Sequence, residues 1–147
     1  MPRPISHRDY ESLAEVRYQI RRFLNFSDAA ARAAGVEPQQ HQLLLVLETL
    51  RPPERPTIRV VAERLQIQHN SAVELVKRSV QRKLVERRTA LHDRREASLR
   101  VTRRGKQLLR RLSLAHRREL RSVAPVLVRE LQALVGRPSV KKGKGRE

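Results

Sequence analysis

At 147 residues the chain has the length of a single domain, and 39% of its residues are hydrophobic, enough for a core of its own. Its 33 Lys and Arg against 15 Asp and Glu give a formal net charge of +18, which points first to a nucleic acid, with a membrane surface or plain solubility as the other readings. Cysteine is absent, which excludes disulfides, thiolate–metal sites and cysteine redox sensing in this chain.

The opening residues, MPRPISHRDYE, contain prolines and no apolar signal core, so a loosely held lead is expected through residue 7. Residues 8–34 read as a helix, because Leu13, Val16, Ile20, Phe23, Leu24, Ala30, Ala31 and Ala34 fall on a stripe at helical spacing that is broken at Ser27. Arg21, Arg22 and Arg32 lie off the stripe, and Gly35 supplies a stop. A second helix is expected from Val36-Glu37-Pro38 through Leu50. Its apolar block at 43–47 is continuous rather than one-sided, which predicts a helix covered on several sides. The proline-rich stretch 51–56 then forms a stiff linker. The longest apolar runs, 43–47 and 123–128, fall far short of the ~20 residues that span a bilayer, so a soluble, cytoplasmic protein is expected.

Residues 57–102 carry the densest pattern. Thr57 is placed to cap a helix over Ile58–Leu65, whose Ile58, Val61, Ala62 and Leu65 recur at spacings of three and four. Gln66 and Ile67 make a turn, and a second helix is predicted from Gln68 or His69 to Lys83. Its Ala72, Val73, Leu75, Val76 and Val80 face the first helix and leave His69, Asn70, Ser71, Glu74, Lys77 and Arg78 outward. Two helices joined so tightly, the second opening on small polar side chains, form a helix-turn-helix whose second N-terminus can enter a major groove. The period then changes to two: residues 97–102 alternate apolar with polar, as a half-buried strand requires, and residues 84–88 supply its partner. Between them the connection at 89–96 carries His92, Asp93, Arg94 and Arg95 at its tip. An arginine-tipped hairpin of this kind is a wing suited to a minor groove.

After Thr102, a further helix cap, Leu108, Leu109, Leu112, Ala115, Leu120 and Val123 mark one helical face. Pro125 is expected to interrupt it, with a shorter helix following to Val135 before Gly136 and Pro138. Residues 139–147, with Lys141, Lys142, Lys144 and Arg146 among glycines, read as a disordered basic tail. The end segments 8–34 and 103–135 offer more apolar face than a winged helix at 36–102 needs. The surplus wants a partner, unless both ends fold back on their own chain.

The segments VAERLQIQHNSAVELVKR, LVERR and DRREASLRVTRRG resemble the winged helix of the MarR family of bacterial transcription regulators. The last is the most specific, with Asp93, Arg95, Val101-Thr102 and Gly105 at the family's distances. Val101 replaces a usual Leu, Lys83 stands where the family has Gly, and Ser79 stands where a Leu is common. The resemblance implies a mainly α fold with a small β-hairpin wing, flanked by terminal dimerisation helices. It implies a homodimer whose winged helices sit about one DNA turn apart on a pseudo-palindromic operator, acting as a repressor and released by a small anionic aromatic ligand. The rival readings are a non-specific architectural or ribosome-associated nucleic-acid-binding protein, and a ligand-gated switch without DNA binding.

Individual residues then take roles. Asn70 can bond adenine through its amide, while Ser71 and His69 can reach base edges; the alternative is that Ser71 and Glu74 form a capping box on a later-starting helix. Glu74 can accept from cytosine or pair with Arg78, and Lys77 and Arg78 can bond phosphate or guanine or simply face water. In the family pattern Arg95 enters the minor groove, beside Arg94 at the tip, and Asp93 braces the wing. The family's ligand cleft implies Tyr18, Arg22, Phe26 and His41 as lining, although Phe26 and Arg22 equally suit core and solvent. Catalytic chemistry is not expected, and no cofactor is implied. The five histidines, His7, His41, His69, His92 and His116, show no metal-ligand spacing, so zinc binding would need folding to gather a subset. His92-Asp93 lacks further ligands for a phosphohydrolase site, and Gly105-Lys106 lacks the preceding glycine of a phosphate loop.

Overall fold

The computed structural model describes residues 2–90 and 93–136, backbone only at 89–90 and 93–97. Its elements run α1 (His7–Ala33), α2 (Pro38–Thr49), α3 (Ile58–Leu65), α4 (His69–Gln81), β1 (Val85–Ala90), β2 (Asp93–Val101) and α5 (Arg103–Val135). The fold is thus mainly helical with one antiparallel two-stranded hairpin. No helix among the described residues is long and apolar enough to cross a membrane. The chain divides into two compact units. One is Ser27–Arg117; the other takes the described residues up to Phe26 and from Arg118 onward.

Local chemistry sets the boundaries in the Ser27–Arg117 unit. Gly35, at φ 81°, ends α1: the Val36 N–H donates to the Ala31 carbonyl at 3.1 Å and the Gly35 N–H to that of Arg32 at 2.9 Å. Pro38 opens α2, where a missing N–H costs nothing, and the Glu37 N–H donates to the Gln40 side-chain oxygen at 3.0 Å. Thr57 caps α3 by accepting from the Val60 N–H at 3.4 Å. The core gathers Leu43, Leu44 and Leu47 of α2, Val61 of α3, Leu75 and Val76 of α4, Leu99 and Val101 of β2, and Leu109 and Leu112 of α5. The central placement expected for α2 holds except at Leu45, which is 46% exposed.

The wing differs from the sequence expectation. Its ladder pairs Val85 with Val101, Arg87 with Leu99 and Thr89 with Ala97, then jumps to Ala90 with Asp93. Asp93, Arg94 and Arg95 therefore belong to β2, with residues 94–96 as an irregularity in the strand and not as a loop tip. The Leu99 N–H also donates to the Pro56 carbonyl at 2.8 Å, so the linker end lies along the outer edge of β2. The other correction concerns Pro125, which lies inside a continuous α5 and does not divide it. One missing donor leaves the remaining ladder of a 33-residue helix intact.

In the other unit, α1 turns polar residues inward. Asp9, Ser12 and Gln19 are buried while Leu13, Ile20 and Leu24 are 45–49% exposed. The buried Glu130 carboxylate of α5 accepts from the Ser12 hydroxyl at 2.7 Å and from Arg8 Nη2 at 3.0 and 3.1 Å. The Ser12 hydrogen bond and the cations Arg129 and Arg8 hold the Glu130 pKa below the usual carboxylate value. Leu120, Val128, Leu131 and Val135 on α5 are exposed as well. The stripe seen in the sequence exists, but Leu13, Ile20, Leu24 and Leu120 point away from their own chain.

Candidate nucleic-acid interface

The first turn of α4 carries the residues to which the sequence assigns base contacts. The helix begins at His69 with Gln68 as its N-cap and no side-chain cap bond, so its first N–H groups are free to meet an acceptor from outside. Ser71 lies within this turn and is not the cap, so the capping-box alternative does not hold. His69, Asn70, Ser71, Glu74 and Lys77 are all exposed. Asn70, Glu74 and Lys77 fall at i, i+4 and i+7, which places them on one outward stripe opposite the buried Ala72, Leu75, Val76 and Ser79. Glu74 makes no ion pair with Arg78. Instead Arg78 reaches Glu37 at the start of α2, with Nε and Nη2 donating to one carboxylate oxygen at 3.2 and 3.1 Å. The Glu37–Arg78 link was invisible in the sequence because its partners are 41 positions apart.

The other end of α4 is anchored through a junction that the sequence motif only hinted at. Lys83, where the family has Gly, adopts φ 59°. Its N–H donates to the Val80 carbonyl at 2.9 Å, and the next N–H, Leu84, reaches back to Ser79 at 3.0 Å. Ser79 is fully buried, and its hydroxyl donates to the Leu75 carbonyl at 2.8 Å, so the polar group in the family's leucine position is satisfied. The Thr102 hydroxyl donates toward the Lys83 and Leu84 carbonyls at 2.7 and 3.1 Å while accepting from the Gly105 N–H at 3.0 Å. A Cβ on Gly105 would stand 2.4 Å from the Leu84 carbonyl oxygen. The Val-Thr-x-x-Gly spacing thus has a mechanical reason: it joins the end of α4, the root of the wing and the start of α5.

The side chains of Asp93, Arg94 and Arg95, and residue His92, lie outside the described residues, as do residues 139–147. On the core side of the hairpin Leu99 and Val101 are buried, and on the outer face Arg100 donates to Glu86 at 2.8 Å. The four residues assigned to a ligand divide between the units. Tyr18, Arg22 and Phe26 lie on α1 in one unit, with the Arg22 guanidinium 5.8 Å from the Tyr18 ring centre. His41 lies on α2 in the other, buried, with its ring 4.7 Å from that of His116. The His116 Nδ1–H donates to the Leu112 carbonyl at 2.5 Å, and its Nε2 is hydrogen-bonded with the Ser27 hydroxyl at 2.7 Å. Burial, and then the neighbouring His116, lower the His41 pKa to about 4, so His41 is neutral near pH 7. Among the described residues no three His, Cys, Asp or Glu side chains gather as metal ligands.

Residues 34–96 match the model of the MarR family. The match covers 63 of the chain's 147 residues. Solved MarR-type structures share the fold across most of the chain. AbsC, a MarR family transcriptional regulator from Streptomyces coelicolor, is 17% identical over 90% of this chain and 92% of its own, with a TM-score of 0.69. The Staphylococcus aureus MepR–DNA complex is 16% identical over 80% of this chain and 88% of its own, at 0.68. Staphylococcus aureus MarR in complex with salicylate and kanamycin is 17% identical over 78% of this chain and 79% of its own, at 0.64. At such identities the likeness is one of fold. No curated protein matches the chain.

Proposed function

We propose that the protein is a sequence-specific double-stranded DNA-binding transcription regulator, a repressor working as a homodimer on a pseudo-palindromic operator. The observation that carries this reading is the uncapped, exposed first turn of α4, from which Asn70, Glu74 and Lys77 run as one outward stripe on a helix anchored near its C-terminal end by Arg78 and the Lys83 junction. Asn70, Ser71 and His69 read base edges, Lys77 and Arg78 meet phosphate or guanine, and Glu74 accepts from cytosine. Arg94 and Arg95 serve the minor groove, with Asp93 bracing the wing. The net charge of +18 favours a nucleic acid, and MepR, of the same fold, has been solved on DNA. The homodimer is supported by the leucines that α1 and α5 leave exposed. Release by a small anionic aromatic ligand is supported by the salicylate in Staphylococcus aureus MarR and by the Tyr18–Arg22 pair on α1.

Salt titrations of Asn70→Ala and Arg95→Ala on a selected site and on scrambled duplex test this reading. Asn70→Ala should relax preference at one position per half-site by roughly 1–3 kcal/mol and leave the salt slope unchanged. Arg95→Ala should lower affinity for both duplexes together and reduce the slope by up to ~1 per lost charge, since a minor groove reports width more than base identity. A ratio of selected to random affinity near unity, against the ~10³ or more of a specific regulator, would instead identify an architectural protein.

A further inference from the structure

Beside its base-reading residues α4 carries two cations, Lys77 and Arg78, and the fold treats them differently. Lys77, on the stripe with Asn70 and Glu74, is exposed and enters no ion pair among the described residues. Arg78 lies at the flank of that stripe, and its Nε and Nη2 both donate to one carboxylate oxygen of Glu37. Glu74, at i−4, would be the nearer acceptor on the same helix, yet the pair forms across 41 positions.

The corner that supplies Glu37 is fixed. Gly35 turns the chain at φ 81°, Val36 is buried, and the Glu37 N–H donates to the side chain of the fully buried Gln40. Arg82 stands at i+4 from Arg78, on the same flank of α4, and donates its Nη2 to the Gly35 carbonyl. The helix therefore keeps one anchor on this corner when Arg78 lets go of the other. Letting go is easy. The Arg78 and Glu37 side chains are 41% and 47% exposed, and an exposed pair that engages a single carboxylate oxygen adds little to stability. A phosphate offers the same guanidinium a bidentate partner.

We infer that Glu37 is a specificity-determining residue of the DNA surface: it withholds Arg78 from phosphates on random sequence and releases it where α4 is seated on its operator. The inference rests on the DNA-binding reading above. Binding to random duplex draws almost wholly on phosphate contacts, so a cation held back lowers it. On the operator, base contacts from Asn70 and Ser71 fix the helix in register, and a phosphate then comes within bidentate reach of Arg78. Glu37 itself touches no DNA and acts through Arg78.

Salt titrations of the full chain on a selected site and on random duplex test this with Glu37→Gln, Arg78→Gln and the two combined. Glu37→Gln keeps the side-chain length and leaves the bond between its backbone N–H and Gln40 in place. It should raise random-duplex affinity by at least about threefold at low salt and steepen that slope by up to ~1 per chain, with the selected-site slope unchanged. Arg78→Gln should flatten the selected-site slope by up to ~1 per chain and leave the random-duplex slope as it was. With Arg78→Gln already present, Glu37→Gln should move neither slope. An unmoved random-duplex slope in Glu37→Gln alone overturns the inference. So does a steepening that persists without Arg78, which would make Glu37 a plain repulsive charge. The unaltered chain separates this inference from the reading beneath it. If that chain discriminates between the duplexes, either result removes the Glu37 assignment alone; if it does not, the operator reading falls and the Glu37 assignment with it.

Discussion

Lys83 holds a left-handed backbone that closes α4 with the same pair of hydrogen bonds that Gly35 makes at the end of α1. A side chain in that conformation costs about 1–2 kcal/mol, partly returned because glycine loosens the unfolded chain. Lys83→Gly should therefore stabilise the protein by roughly 0.5–1 kcal/mol in urea unfolding; a loss would mean that the lysine itself makes a favourable contact. Gly105 has no such freedom, since a Cβ would also meet Val101 Cγ1 at 2.8 Å beside the Leu84 carbonyl. Gly105→Ala should cost about 1–3 kcal/mol, read as a lowered urea midpoint at unchanged slope. His41 governs a pH window. Its folded pKa of about 4 lies below the unfolded 6.5, so between those values the unfolded chain binds the extra proton. Stability is full above pH 6.5 and falls towards pH 4, by about 2–3 kcal/mol, and His41→Gln should flatten that stretch of the curve. Asp9, held low first by its Arg3 hydrogen bond and then by Ser6, and Glu130, held low first by Ser12, lose their contributions only at lower pH.

At the scale of elements, the helices are legible where the signals are local. Thr57 before Ile58, Gly35 after Ala33 and Pro38 at the start of α2 each act within one turn, and the structure ends or begins helices there. The wing is harder to read because period-two alternation appears only where one face is buried, at Leu99 and Val101. Nearer the turn the density of arginines suggests a tip at 92–95, whereas pairing continues to Ala90 and Asp93. Links between distant elements, such as Arg78 with Glu37, leave no periodic trace. Nor does spacing reveal which side of a stripe meets its own chain, as Leu13 and Ile20 demonstrate. Pro125 reads as a break because proline removes a donor, yet α5 passes through it and the Arg121 carbonyl lacks its usual partner four residues on. Pro125→Ala restores that donor and should raise stability by about 1–3 kcal/mol in chemical unfolding. A decrease would show that local geometry at Pro125 is required for assembly.

For the whole molecule, the exposed apolar stripes matter most. Leu13, Ile20 and Leu24 on α1 recur at i, i+7 and i+11, and Leu120, Val128 and Leu131 continue the theme on α5. The proposed homodimer covers them, so Leu24→Asp with Leu131→Asp should convert a dimer into a monomer in sedimentation at micromolar concentration. A doubly substituted chain that still sediments as a dimer would move the interface elsewhere. Because Asp9, Ser12 and Glu130 are already satisfied within one chain, the cost of standing alone falls on those leucines. Folding and pairing are then linked by mass action, and stability rises with the amount of protein present. In the proposed homodimer, an unpaired chain at low copy number would leave this apolar surface open to chaperones and proteases until pairing covers it. Pairing through these two helical faces would then give the protein a threshold of abundance of its own.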